Sequence, residues 1–261
     1  MKAKKQTRKT RKKADAKDAK KKARKEKKTK TSYRVSLEKL LEAGCHFGHQ
    51  GKRWNPKMAP YLWKKKEGVH IFDLAVTAQK LEEACLALKA LVKRGKRVVF
   101  VGTKRQAEAI IKEEAANAGI NYVASRWLGG TITNWKQIKK SIAKLKEMKE
   151  KQEKGEYEKY TKKENVLINR EIGRLTRFFE GLLDLEKIPD ALFIVDVNRE
   201  IAAVKEARKK GLQIFAIVDS NADPDLVDYV IPANDDAVQS IKLVVSKMAQ
   251  AAGEGKKLRK E

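Results

Sequence analysis

The sequence predicts an α/β fold, a doubly wound and mostly parallel sheet carrying an inserted helical hairpin, and three observations lead there. Short, continuous apolar runs recur at residues 98–101, 191–195 and 214–218, the pattern of strands buried on both faces of a parallel sheet. Stretches with helical spacing separate the runs, so each strand is followed by a crossover that is right-handed in such sheets. Between Thr131 and Leu185 the rhythm breaks: no strand pattern appears, and apolar residues repeat three and four apart.

The elements follow in order. Ser36 caps a short helix that Gly44 stops. His70, Ile71 and Phe72 form a short strand. Residues 74–94 form a helix whose apolar positions Leu81, Cys85, Leu88 and Val92 put Cys85 in the core, with Gly95 as its stop. After the strand at 98–101 come a helix over 106–117, a strand at Tyr122 and Val123, and the strand at 191–195. A helix over 199–210, the strand at 214–218, a strand at 229–231 and a helix from Ala237 to about Ala251 complete the body. In the interruption, Trp135, Ile138, Ile142 and Leu145 form one heptad seam, and Ile168, Ile172, Leu175, Phe179 and Leu182 another. A polar turn around Gly155 lets the two helices fold back on each other.

Length and charge bound the function. A chain of 261 residues suits one large domain, or one with an appendage. Its 61 Lys and Arg against 34 Asp and Glu leave a net charge of +27, which favours a polyanionic partner, nucleic acid or an anionic membrane. Residues 1–30 alone hold 17 Lys or Arg against Asp15, Asp18 and Glu26, and read as a disordered basic arm that meets phosphates. Two cysteines, Cys45 and Cys85, make no disulfide framework and fit a reducing cytoplasm. No apolar run is long enough for a membrane span or a signal-peptide core. The expected organisation is an arm at 1–30, an α/β body at 31–130 and 186–252, a hairpin at 131–185 and a basic C-terminal tail at 253–261.

Three places could carry chemistry. The turn after the strand at 98–101 matches neither G-x-G-x-x-G nor G-x-x-x-x-G-K-[ST]. It leaves Thr103, Lys104 and Arg105 at a helix N-terminus, where a phosphate of RNA or of a nucleotide can bind, or where a plain basic loop can sit. Asp196 and Asp219 each follow an apolar strand, a position suited to a catalytic carboxylate but equally to a turn cap. The stretch GCHFGHQGKRWNPKM, residues 44–58, offers Cys45, His46 and His49 as metal ligands or a Cys-His pair, but adjacent side chains do not easily reach one ion, and no metal is expected. Every residue type in the stretch fits an RNA surface instead. Gly44, Gly48 and Gly51 allow close approach; Lys52, Arg53 and Lys57 meet phosphates; His46, His49 and Trp54 stack; Gln50 and Asn55 hydrogen-bond.

The runs GCHFGHQGKRWNPKMAPYLW, GVHIFDL, FVGTKRQA, RWLGGTITNW, PDALFIVDV and AIVDSNADPDLVDYVIPANDDA resemble, in this order, the bacterial-type family of small-subunit ribosomal protein two. That resemblance spans about residues 36–250. It implies a flavodoxin-like sheet with a coiled-coil hairpin, a structural place in the small subunit, no enzymatic activity and no cofactor. It also implies contacts with ribosomal RNA and with neighbouring ribosomal proteins, including the large one that captures messenger RNA. Arg126 and Asn134 of the RWLGGTITNW run join Lys104, Arg105 and the 44–58 residues as expected RNA contacts. Cys45 replaces a residue usually aliphatic in the family, and the basic arm is longer than expected. Two other readings stay open: an enzyme handling nucleotides or phosphate esters through residues 102–106 with Asp196 or Asp219, and a free-standing RNA chaperone led by the arm.

Overall fold

The computed structural model of the chain describes residues 33–259. The chain divides into a short unit, Met1–Arg34, and a large one, Val35–Glu261. The expected basic arm lies outside the described residues.

Five strands form the parallel sheet: β4 (Val98–Val101), β5 (Asn121–Val123), β6 (Ala191–Val195), β7 (Gln213–Val218) and β8 (Tyr229–Pro232), in spatial order β5-β4-β6-β7-β8. All four residues of β4 and all five of β6 are buried, which is why these runs are apolar throughout rather than alternating. Counting along the chain within this sheet, the order is 2-1-3-4-5, that of flavodoxin-type doubly wound sheets, with the reversal of winding between β4 and β6.

Successive side chains point to opposite faces. Val99, Val101, Leu192, Ile194, Ile214 and Ala216 join one core cluster with Ala203, Val204 and Ala207 of α6 (Ile201–Lys209). Phe100, Phe193 and Phe215 alternate with them, the first two with ring centres 4.8 Å apart. Among the helices, α2 (Leu74–Lys93) and α3 (Glu108–Ala118) both pack against α7 (Val238–Lys257). Cys85 is fully buried in α2 with its Sγ 3.7 Å from Met248 Sδ of α7, and burial pushes its thiol up to about 12. The last helix continues past the expected end near Ala251, because Ala251, Ala252 and Gly255 still find buried places; a Cβ on Gly255 would lie 2.8 Å from the Lys89 carbonyl oxygen.

The interruption consists of α4 (Trp135–Glu153) and α5 (Lys162–Phe179), which pack against each other. Ile138, Ile142 and Leu145 of α4 and Ile172, Leu175 and Phe179 of α5 are buried in the same cluster as the sheet residues, so the paired helices are rooted in the main core. Thr161 and Glu164 form a reciprocal capping box that starts α5, and Gly155 takes the left-handed conformation, φ +71°, after α4. Lys144 pairs with Glu171 at 3.0 Å across the two helices.

A second sheet was not foreseen. α1 (Leu37–Glu42), capped by Ser36, leads to β1 (Phe47–Gln50), a 3-10 turn at Pro56–Tyr61, β2 (Leu62–Lys66) and β3 (Val69–Phe72). These strands form an antiparallel sheet in the order β1-β3-β2. Only β3 carried a strand pattern. FGHQ and LWKKK are short and mostly polar or exposed, so neither run shows period-two apolarity.

Candidate nucleic-acid interface

In a sheet with this order, the crevice at the carboxyl ends of the strands, where the winding reverses, is where ligands bind. Here an ionic cluster fills it. Lys104 follows β4, Asp196 follows β6, Asp219 follows β7, and Asp235 and Asp236 follow β8. The Lys104 Nζ lies 2.6 Å from Asp235 Oδ1, 2.6 Å from Asp236 Oδ1 and 3.4 Å from Asp196 Oδ2. Burial alone would push this ammonium down, but the bonds it donates to Asp235 and Asp236 hold it above its ordinary value. Asp235, 1% exposed, is pushed up to about 7 by burial and by the charges of Asp219 and Asp196, against the pull of Lys104.

The antiparallel sheet closes the crevice from above. His49 of β1 faces two carboxylates, its Nδ1 donating to Asp219 Oδ1 at 3.0 Å and its Nε2 lying 3.5 Å from Asp236 Oδ2. Its backbone N–H donates to Ser220 Oγ at 2.8 Å, and the Asn55 N–H donates to the Ser220 carbonyl at 2.7 Å. The bond to Asp219 raises the His49 pKa despite partial burial, with Asp235 and Asp236 adding to it. Gly48 is required here: a Cβ would meet Ser220 Oγ at 2.8 Å and the His70 carbonyl at 3.1 Å. The close approach that this glycine permits is to the chain itself.

The strand-end carboxylates are engaged likewise. Asp196, at φ +67°, accepts the Arg199 N–H at 3.0 Å, the turn-capping role. Asp219 accepts from Ser220 Oγ at 3.0 Å and from the Asp235 N–H at 3.2 Å besides His49. Thr103 donates its backbone N–H to buried Glu200 at 3.0 Å, so that amide does not face an incoming phosphate. Among the described residues, His49, Asp219 and Asp235 are the group that could hold a metal ion, each with a ligand atom within 4.8 Å of the others. The Lys104 ammonium already supplies positive charge to that group. Cys45 is fully buried, and burial raises its thiol, which removes it from any such cluster.

The expected contact residues fall into two sets. Gln50, Lys52, Arg53, Arg105, Arg126 and Asn134 are exposed. The others are occupied within the fold. Lys104 is buried among carboxylates. Lys57, though half-exposed, pairs with Asp223 at 2.8 Å and Asp225 at 2.7 Å. Trp54 stacks on His70 with ring centres 4.7 Å apart, and Asn55 caps the 3-10 turn by accepting the Lys57 N–H at 3.0 Å. His46 lies 3.9 Å, centre to centre, from Phe47, its Nδ1 is buried without a hydrogen-bond partner, and burial lowers its pKa.

Two further residues take roles that residue type and spacing alone do not assign. Glu206 of α6 gathers the RWLGGTITNW loop: it accepts from Trp127 Nε1 at 3.1 Å, from the N–H groups of Gly130, Ile132 and Thr133, and from Thr133 Oγ1. Burial would push this carboxyl up, but those donors hold it below its usual range. Arg126 and Asn134 thus stand exposed on a loop fixed from α6. Trp63 of β2, in the run WKKK, is 66% exposed; a tryptophan beside three lysines was the available signal.

The sequence model of the family described as ribosomal protein S2 matches residues 40–255. A small ribosomal subunit protein uS2 from Fusobacterium nucleatum is 48% identical over 222 residues, covering 85% of this chain and 90% of the relative. One of the same name from Microcystis aeruginosa is 48% identical over 223 residues, 85% of this chain and 84% of the relative. The runs that fill the strand-end crevice, close it and organise the loop beside it all lie within the matched residues, and the chain belongs to the ribosomal protein S2 family.

Proposed function

We infer that this chain is a structural constituent of the small ribosomal subunit, binding ribosomal RNA and neighbouring ribosomal proteins during translation. Its relatives' name, small ribosomal subunit protein, over 85% of this chain carries the reading. The filled crevice supports it: the place where a flavodoxin-type sheet would take a nucleotide is occupied by Lys104 and its carboxylates and covered by β1. No catalytic role is assigned to Asp196 or Asp219, whose oxygens serve the fold.

RNA contact is assigned to the exposed set, with Lys52, Arg53, Arg105 and Arg126 neutralising phosphates and Gln50 and Asn134 hydrogen-bonding. The inner set, His46, His49, Trp54, Asn55, Lys57 and Lys104, holds the backbone that presents them. The paired helices α4 and α5 are read as an antiparallel coiled-coil hairpin inserted into the α/β body at 131–185. A neighbouring ribosomal protein, the large one that captures messenger RNA, is the proposed protein contact, and a bacterial cytoplasm the proposed setting. Among the described residues no helix is long and apolar enough to cross a membrane.

The test is rebinding of the purified chain to small subunits stripped of it. Saturable one-to-one rebinding that weakens linearly in log affinity against log salt supports the reading. Equal binding to intact subunits and to unrelated RNA contradicts it and favours a free-standing chaperone.

A further inference from the structure

Trp63 is an exposed large apolar group on a strand that otherwise shows lysines to solvent. β2 forms an edge of the antiparallel sheet, and its residues 63–66 are all exposed. Lysines on an edge strand ordinarily guard it against pairing with another chain. A bare indole works against that purpose, so edge protection accounts for Lys64, Lys65 and Lys66 but not for Trp63.

The backbone places the ring deliberately. Leu62 pairs with Phe72 and Lys64 with Ile71, leaving Trp63 as the extra residue of a β-bulge. A bulge bends the strand and re-aims the inserted side chain. The indole therefore leaves the ladder and stands 66% exposed, with the Lys64 Nζ 4.0 Å from its ring centre. A cation over one face leaves the other free to take a planar group.

Further cations follow along the same strand and the neighbouring turn. Lys65 lies against Gly51, where a Cβ would run into its Cε and Nζ, so its ammonium adjoins the turn that carries exposed Lys52 and Arg53. Glu67, in the β2–β3 turn, offsets part of this through a 3.8 Å pair with Lys66. An exposed aromatic face amid cations matches single-stranded nucleic acid, whose bases stack on the ring while its phosphates meet the cations. A duplex hides its base faces and cannot use the ring.

We propose that Trp63 is a stacking platform for an unpaired RNA base, flanked by Lys64, Lys65 and the Lys52-Arg53 turn as phosphate contacts. The proposal rests on the ribosomal reading and adds to it the strand form of the RNA recognised here.

The test uses the full chain, its Trp63→Phe and Trp63→Ala variants, and two probes, a short oligouridylate and an RNA duplex of equal length. The emission of Trp63 is the wild-type spectrum minus that of Trp63→Phe. Oligouridylate should quench that difference and the duplex should not. Trp63→Ala should bind oligouridylate roughly tenfold more weakly with an unchanged salt slope, and Trp63→Phe should stay near wild type. Lys64→Gln with Lys65→Gln should lower the slope instead. Absence of quenching, or equal affinity of Trp63→Ala and wild type, overturns the proposal. Unchanged RNA binding with poorer incorporation into small subunits also overturns it and assigns the ring to a protein neighbour. Wild-type chain that enters subunits normally while Trp63 stays unquenched sinks this proposal alone; wild-type chain that never enters them sinks the ribosomal reading.

Discussion

The Nζ of Lys104 lies 2.6 Å from Oδ1 of Asp235, and both side chains are nearly out of solvent, 11% and 2% exposed. This pair sits where a sheet of this winding usually admits a ligand. The chain's own charges sit where such a fold takes its ligand, and the energetic cost of breaking the pair follows from what each charge would then face.

Lys104→Met leaves Asp235 buried beside Asp219 and Asp196 without its ammonium partner. Loss of one partner of a buried pair costs up to about 3–5 kcal/mol while the remaining carboxylate stays charged. Asp235, already pushed up to about 7, sheds part of that cost where it takes a proton. Urea unfolding should show a loss of that size, and Lys104→Met with Asp235→Asn should recover a good part of it. A single variant as stable as wild type contradicts the pairing.

His49 gives the cluster a pH dependence with a defined sign. Its folded pKa lies above the unfolded value of about 6.5, chiefly through the bond to Asp219. The contribution is therefore complete below about pH 6.5 and is lost as pH rises through the folded value. The melting-temperature gap between wild type and His49→Gln should shrink as pH rises from 6 to 8.5. A constant gap contradicts the assignment.

Glu206→Gln removes the acceptor that gathers the 127–133 loop. A glutamine can serve only part of those donors, and each buried one left over costs about 1–3 kcal/mol. Amide exchange at Gly130, Ile132 and Thr133 should quicken while exchange in β6 and β7 stays slow.

Arg53 and Lys57 should behave differently although they lie only four positions apart. Arg53→Ala should lower the salt slope of subunit binding by about one. Lys57→Ala should leave the slope unchanged, because its ammonium faces Asp223 and Asp225 in the folded chain.

The parallel strands were legible because burial on both faces writes an unbroken apolar run, as in Val98 to Val101 and Ala191 to Val195. The seams of α4 and α5 were legible through their spacing. β1 and β2 were not, since a four-residue strand such as FGHQ takes its place from partners elsewhere in the chain, Ser220 and the β3 residues Ile71 and Val69, rather than from its own pattern. The same limit governed the site. Residue type marked Lys57 and Lys104 as phosphate contacts, but their carboxylate partners lie 166 and 131 residues away. Trp63 lacked helical or alternating company, and only the bulge in β2 shows where its ring goes.

The most direct test of the central reading is a sucrose gradient of native lysate probed for this chain, with and without ribonuclease. A chain seated in the small subunit co-migrates with small subunits, and ribonuclease abolishes that co-migration. Slow migration indifferent to ribonuclease would contradict that reading.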